Sequence, residues 1–145
     1  MTIRHAVKGD VPAVAELALL LFPDHNPEEL QEEMAEYIAG PDSTVLLAEE
    51  GSRAVGFAQC GLRHDYVEGT DSSPVGYLEG IYVREGFRRA KVASALVAAA
   101  EDWARTRGCR EFASDCELDN TLSIAFHLGA GFTEANRLVC FVKEL

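Results

Sequence analysis

Apolar residues at Val11, Val14, Leu17, Ala18 and Leu21 fall at helical spacing behind Asp10, which predicts a helix with Asp10 as its N-cap. A second helix has clearer ends. Asn26 is the expected N-cap, Pro27 the first helical residue, and Glu29 stands where it would complete a capping box. Leu30, Met34, Tyr37 and Ile38 form its inner stripe, and Gly40-Pro41 stops it. Before these helices, Thr2 to Ala6 reads as a short strand. After them, Thr44 to Ala48 and Ala54 to about Asp65 flank the turn Glu49-Glu50-Gly51-Ser52, a hairpin signal. Residues 67–74 read as a loop. Val75 to Val83 carries large residues on both faces, as expected of a strand inside a sheet.

From about Lys91 to Arg107 a long helix places Val92, Leu96, Ala99 and Trp103 on one face, and Gly108 ends it. Arg105 and Arg107 suit the negative end of its dipole. Glu111 to Ser114 is the next strand, Asn120 to Leu128 a helix, and Phe132 to Val142 a final strand. The order β-α-α-β-β-β-α-β-α-β predicts one α/β domain over residues 1–145, a mixed central sheet flanked by helices.

Composition narrows the function classes. The 145 residues carry a formal net charge of −11, which disfavours nucleic acid and attracts cations. No apolar run approaches the roughly 20 residues needed to span a bilayer. The start Met1-Thr2-Ile3-Arg4-His5 lacks the apolar stretch of a secretory signal, so a cytoplasmic protein is expected. Cys60, Cys109, Cys116 and Cys140 show no metal-ligand spacing. Buried reduced thiols and no bound metal are expected.

Against this acidic background, Arg84, Arg88, Arg89 and Lys91 cluster at the head of the long helix, four of the thirteen Lys and Arg residues. Free N–H groups and the dipole of a helix N-terminus would bind an anion there, a diphosphate in particular; a solvated basic turn is the plainer reading. The stretch Arg88-Arg-Ala-Lys-Val-Ala93 resembles the pyrophosphate loop of the GNAT acetyltransferase superfamily, usually Arg/Gln-x-x-Gly-x-Gly/Ala. Lys91 stands where that pattern has glycine. If the backbone there needs a positive φ, a lysine costs about 1 kcal/mol or more. Alternatively the helix begins normally and the ammonium adds a phosphate contact.

Asn120-Thr-Leu-Ser123-Ile-Ala-Phe-His127-Leu-Gly-Ala-Gly131-Phe132 resembles a second element of the superfamily, Asn-x-x-Ala/Ser-x-x-x-Tyr-x-x-x-Gly-Phe. Together these resemblances imply a GNAT fold that binds acetyl-CoA. The implied contacts are Ile81, Tyr82, Val83, Arg88, Arg89, Ala90, Lys91, Val92, Ala93 and Ser94, with Asn120, Ser123 and His127 along the pantetheine arm. His127 replaces the usual tyrosine, whose role is to protonate the departing thiolate. An imidazolium could do the same, or His127 could be a half-buried structural residue. The resemblance also implies a bulge within Glu79–Val83 that turns N–H groups toward the acetyl carbonyl.

Two acids suit the acceptor side. Glu79 lies inside an apolar strand, where an unpaired charge is costly, so it should face a polar cleft or a cationic partner. Asp115 ends a strand, where open α/β sheets place ligands. A carboxylate beside an ammonium holds it but favours its protonated form, so one acid must pass the proton on. Asp115 is the expected acceptor and Glu79 the orienter; a salt bridge or a helix cap is the plainer role for each.

The segments Leu62-Arg-His-Asp-Tyr66-Val, Asp71-Ser-Ser-Pro74, Leu78-Glu-Gly-Ile81, Phe112-Ala-Ser-Asp115 and Gly131-Phe132 resemble short, chromosomally encoded aminoglycoside 6′-N-acetyltransferases. That resemblance implies an acidic cleft lined by Tyr66, Glu79 and Asp115, a homodimer, and direct transfer without a covalent acyl-enzyme. Phe22 stands where this subgroup usually has an indole, and Asn136 where it often has Glu. The alternatives are a GNAT enzyme for another amine (a polyamine or a protein N-terminus), a non-catalytic CoA-binding module, or an interaction protein that keeps only the fold.

Overall fold

Strict alternation along one strand explains why the sheet is covered on both sides. In β2 (Ser43–Glu50), Leu46 and Ala48 join one buried cluster while Val45 and Leu47 join another. The computed structural model covers residues 1–145, and the side chains of Arg89 and Ala90 lie outside the described residues. The other strands are β1 (Thr2–His5), β3 (Arg53–Arg63), β4 (Val75–Val83) and β5 (Phe112–Ser114). They form one sheet in the order β1-β2-β3-β4-β5, antiparallel except for the parallel pair β4–β5.

The helices are α1 (Val11–Leu21), α2 (Pro27–Ala39), α3 (Val92–Thr106) and α4 (Thr121–Gly129). α1 and α2 cover one face with Val14, Leu17, Leu30 and Met34 against Val45, Leu47 and Phe57. α3 covers the other with Val92, Leu96, Val97, Ala100 and Trp103 against Leu46, Ala58 and Leu78. As the crossover between β4 and β5, α3 follows directly from the end of β4 through a short 3₁₀ helix, Glu85–Ala90. The helix starts one residue later than expected, and Ala100 is fully buried where the predicted stripe had the half-buried Ala99.

The α/β class holds, and several local expectations do not. Asp10 does not cap α1 with its side chain. Its carboxylate accepts from both terminal nitrogens of Arg4, at 2.7 and 2.9 Å, and from the Val7 N–H at 2.7 Å. A guanidinium fork outcompetes a neutral helix N–H for the same oxygens. Asn26 caps α2 by accepting from the Glu28 and Glu29 N–H groups at 2.9 and 3.1 Å. Among the described residues no return bond from the Glu29 side chain completes a box. Two thiols, Cys60 and Cys109, are buried as expected, whereas Cys116 and Cys140 are exposed; all four are free.

The largest correction is at the C-terminus. Residues 132–142 form no strand. The edge they would extend, β5, is three residues long. Phe132 packs on the core, and Asn136 donates to Glu68 at 2.8 Å, which holds this stretch against the 67–70 loop instead of the sheet. Beyond it Leu138, Val139, Phe141 and Val142 are 63–96% exposed. Among the described residues no helix is long and apolar enough to cross a membrane, and no group of side chains could hold a metal ion.

Candidate active site

One irregularity organises the site. The β3–β4 register pairs Gln59 with Gly80 but Cys60 with Leu78, so Glu79 has no cross-strand partner. This is a β-bulge, and it puts two successive residues on one face. A Cβ built on Gly80 would meet Leu21 at 3.3 Å and Phe22 at 3.6 Å, while one on Gly61 would meet Tyr37 at 3.7 Å and the Glu79 carboxylate at 3.9 Å. Glu79 and Gly80 therefore both look toward α1 and α2. The bulge expected within 79–83 is present at the first residue of that stretch.

The same point is where β4 and β5 part. Their parallel register runs Gly76–Phe112, Tyr77–Ala113, Leu78–Ser114 and stops. Glu79 and Asp115 are the next residues on each side. Both predicted carboxylates thus flank the mouth of the split.

Neither carboxylate is bare. Arg63, at the end of β3, donates through Nη2 to both Glu79 oxygens, at 2.8 and 3.1 Å. Its guanidinium carbon lies 3.4 Å from the centroid of the Tyr77 ring. The Tyr77 hydroxyl donates to Asp115 Oδ2. Burial first, then that bond to Asp115, pushes the Tyr77 phenol well above its ordinary range. On the α2 side, burial and the Glu79 charge raise Tyr37 as well. The cationic partner anticipated for Glu79 is Arg63. Asp115 follows β5 directly and is exposed.

The other acceptor-side residues divide. Phe22 reaches the bulge from the end of α1 and stacks at a tilt on His25, ring centroids 5.0 Å apart. Tyr66 is 79% exposed, and its hydroxyl donates to Glu68 at 2.7 Å. Asn136 binds the same Glu68 carboxylate. A cleft of about 1390 Å³ between β4, β5, α4 and the C-terminal segment has Arg63, Tyr66, Tyr77, Asp115, His127 and Asn136 on its walls. Phe22 and Glu79 lie outside that lining, on the α1–α2 side of the bulge.

At the other face of the split, Asn120 caps α4, its side chain accepting from the Ser123 N–H at 3.1 Å. His127 is held at both nitrogens. Nδ1 lies 2.7 Å from the Ser123 carbonyl and so carries a proton, and Nε2 lies 2.8 Å from the Ser114 hydroxyl. Proton donation to a thiolate would require one of these bonds to open.

The head of α3 fits a phosphorylated ligand in part. Among the described residues no side chain caps it. The N–H groups of Val92, Ala93 and Ser94 are the first-turn donors that such ends offer to anions. Lys91 has φ +59° and ψ +26°, the left-handed conformation that its resemblance to a glycine position foreshadows. Arg88 is exposed, donates to the Val83 carbonyl at 2.9 Å and sits 5.5 Å from the Tyr82 ring centroid. Arg84 is committed elsewhere, to the Ala54 carbonyl at 3.0 Å and to Glu16 at 3.5 Å. Ile81 and Val83 pack into the α3-side cluster and Tyr82 into the α1–α2 cluster. The side chains expected at Arg89 and Ala90 lie outside the described residues.

Sequence reasoning missed Arg63, Tyr77 and Ser114 as site residues. Tyr77 was findable, because it precedes Glu79 by two positions on one strand face. Arg63 was not, since its role depends on the hairpin register.

The chain is similar to known proteins over nearly its whole length. Residues 11–132 match the Acetyltransferase (GNAT) family. The chain belongs to that family. It is 44% identical to an aminoglycoside N(6′)-acetyltransferase type 1 of Stenotrophomonas maltophilia, covering 99% of this chain and 94% of the relative. A counterpart from Acinetobacter haemolyticus is 40% identical, covering 100% and 99%. Among solved structures, aminoglycoside N-acetyltransferase AAC(6′)-Iy in complex with CoA superposes with a TM-score of 0.95 at 37% identity, covering 99% of this chain and 95% of that one. The same enzyme with a bisubstrate analogue, CoA-S-monomethyl-acetylneamine, gives 0.92, also at 37% identity, covering 99% and 98%.

Proposed function

We propose that this chain transfers the acetyl group of acetyl-CoA directly to an amine of aminoglycoside antibiotics, the 6′ amine, and so confers resistance. Full-length identity of 44% to an aminoglycoside N(6′)-acetyltransferase carries the reading. The paired carboxylates at the β4–β5 split supply an acidic place for a cationic amine, as the net charge of −11 would favour.

Acetyl-CoA, when bound, supplies the thioester. The first-turn N–H groups of Val92, Ala93 and Ser94 would hold its diphosphate, with Arg88, Arg89, Ala90 and Lys91 as the proposed further contacts. Ile81, Tyr82 and Val83 flank the carrier along β4, and Asn120, Ser123 and His127 line the pantetheine arm. N–H groups of the bulged stretch donate to the acetyl carbonyl as charge develops there. Phe22, Tyr66, Glu79, Asp115 and Asn136 hold the acceptor. Asp115 takes the proton from the ammonium, steadied by the Tyr77 hydroxyl, and Glu79 orients the amine.

The partner is a second copy of this chain. The apolar segment beyond residue 137 and the short free edge of β5 are the surfaces a homodimer would cover, and light scattering should show a dimer that truncation after Gly131 abolishes. The four free cysteines suit the reducing cytoplasm.

Acetylation assays across aminoglycosides, spermidine and peptides, read by thiol release, test the reaction. Turnover of aminoglycosides is the expected result. Turnover of spermidine alone, or acetyl-CoA binding with no acceptor consumed, would refute it.

A further inference from the structure

We propose that Arg63 is a positioning residue, a built-in counter-cation that lowers the negative charge felt by the acceptor amine and so eases its deprotonation. The inference rests on the proposed acceptor chemistry at Glu79 and Asp115. Two carboxylates at one subsite attract an ammonium, but each also raises the pKa of the bound amine, by about 1–3 units for a close charge. An amine gripped that way arrives easily and reacts slowly, because only the unprotonated form attacks.

Arg63 is placed to offset one of these charges. Its Nη2 lies 2.8 and 3.1 Å from the two Glu79 oxygens, and its guanidinium stacks 3.4 Å from the Tyr77 ring centroid. Tyr77 in turn donates to Asp115. The four side chains form one line, Glu79–Arg63–Tyr77–Asp115, joining both acids across the split between β4 and β5. Arg63 is 42% exposed at its side chain against 22% for Glu79, so the cation stands on the open side of the pair. A guanidinium keeps its charge at every working pH, which makes it a fixed counter-charge. Stacking on Tyr77 holds it in place without spending its donors.

Other groups face this line from α2, from β3, from the loop after β3 and from α4, whose His127 lines the same cleft as Arg63, Tyr77 and Asp115. α2 contributes Tyr37 and Glu33, and Glu33 accepts from Gln59 at 3.4 Å. β3 contributes Cys60, whose thiol burial pushes up to about 12. The loop after β3 contributes Tyr66 and Glu68, joined to each other. His64 turns to Asp42, 3.6 Å away. Burial keeps Tyr37, Cys60 and Tyr77 protonated, so Arg63 is the cation beside both acids among the described residues.

The test is the pH dependence of kcat with an aminoglycoside that the wild-type protein acetylates. Arg63→Gln should lower the acceptor KM several-fold and move the acid limb of the kcat profile up by about one pH unit, tenfold in the fraction of free amine. The acetyl-CoA KM should not change. Arg63→Lys should restore the limb toward wild type. Arg63→Gln combined with Glu79→Gln should return it too, because that pair of changes restores the site's net charge. Arg63→Met, which keeps apolar cover over Tyr77, serves if the glutamine variant unfolds. An unmoved limb and acceptor KM in a folded, charge-free variant would overturn the inference, while absence of aminoglycoside turnover by the wild type would instead overturn the proposed function.

Discussion

Replacing Lys91 with glycine should stabilise the protein. Lys91 is, among the described residues, the one non-glycine residue with positive φ, at φ +59° and ψ +26°. It links the 3₁₀ helix Glu85–Ala90 to α3. A Cβ in the left-handed helical region costs roughly 1–2 kcal/mol. Glycine removes that cost but adds freedom to the unfolded chain, worth about 0.4–1 kcal/mol in the other direction. The net gain is therefore about 0.5–1 kcal/mol. With an unfolding entropy of about 2.1 cal/mol/K per residue, a chain of 145 residues should melt roughly 2–3 °C higher. Differential scanning calorimetry of Lys91→Gly beside Lys91→Ala isolates the backbone effect, because alanine loses the ammonium but keeps the strained Cβ. Stabilisation by alanine equal to that by glycine, or a lower melting temperature with glycine, would refute a backbone cost at Lys91.

Asp115→Asn should reduce kcat by about 10²–10⁴-fold, the usual contribution of a positioned base, while acetyl-CoA binding measured by calorimetry stays within a factor of two or three; equal kcat would remove Asp115 from the chemistry. Phe57 is fully buried between α1 and the sheet, and Phe57→Ala should cost about 3–5 kcal/mol in urea unfolding. The bond from Arg4 holds the Asp10 carboxyl below its usual 3.8. Its stabilising effect is present above that value and is lost as pH falls through the lower folded pKa. The melting-temperature gap between wild type and Asp10→Asn should accordingly be constant near neutrality and close in acid; a gap that persists at the lowest pH would show that Asp10 acts by shape and not by charge.

What the sequence made legible were features of short range. The apolar stripes of α1, α2 and α3 and the alternation in β2 are set by residues within a turn or two of each other, and their clusters match the expected ones closely. The departures occur where a distant partner competes. Asp10 reads as a helix cap until Arg4, six residues earlier on β1, is seen to grip its carboxylate at 2.7 and 2.9 Å. Residues 132–142 read as a strand because alternation describes what a segment could pair with. It does not say whether an edge within the same chain is long enough to receive it. The left-handed backbone at Lys91 was foreshadowed only through the glycine that related loops carry there, since nothing in Ala-Lys-Val demands a positive φ.

The two acids show the same limit in sharper form. Glu79 inside an apolar strand and Asp115 at the end of another are separately recognisable, but alternation alone cannot say that they are neighbours. If β4 and β5 had kept pairing past Leu78 and Ser114, Glu79 would stand beside Asp115 on adjacent parallel strands, two like charges in repulsive register. The bulge stops that continuation. It turns Glu79 and Gly80 together toward α1 and α2, and Gly80 leaves room for Leu21 and Phe22 to close on the strand there. Arg63 takes the carboxylate of Glu79 and Tyr77 that of Asp115, so the charges are satisfied separately on either side of an opening. The irregularity that interrupts the sheet is thus also what allows two acids to share one mouth, and no residue type marks a bulge in the sequence until the register on both of its sides is known.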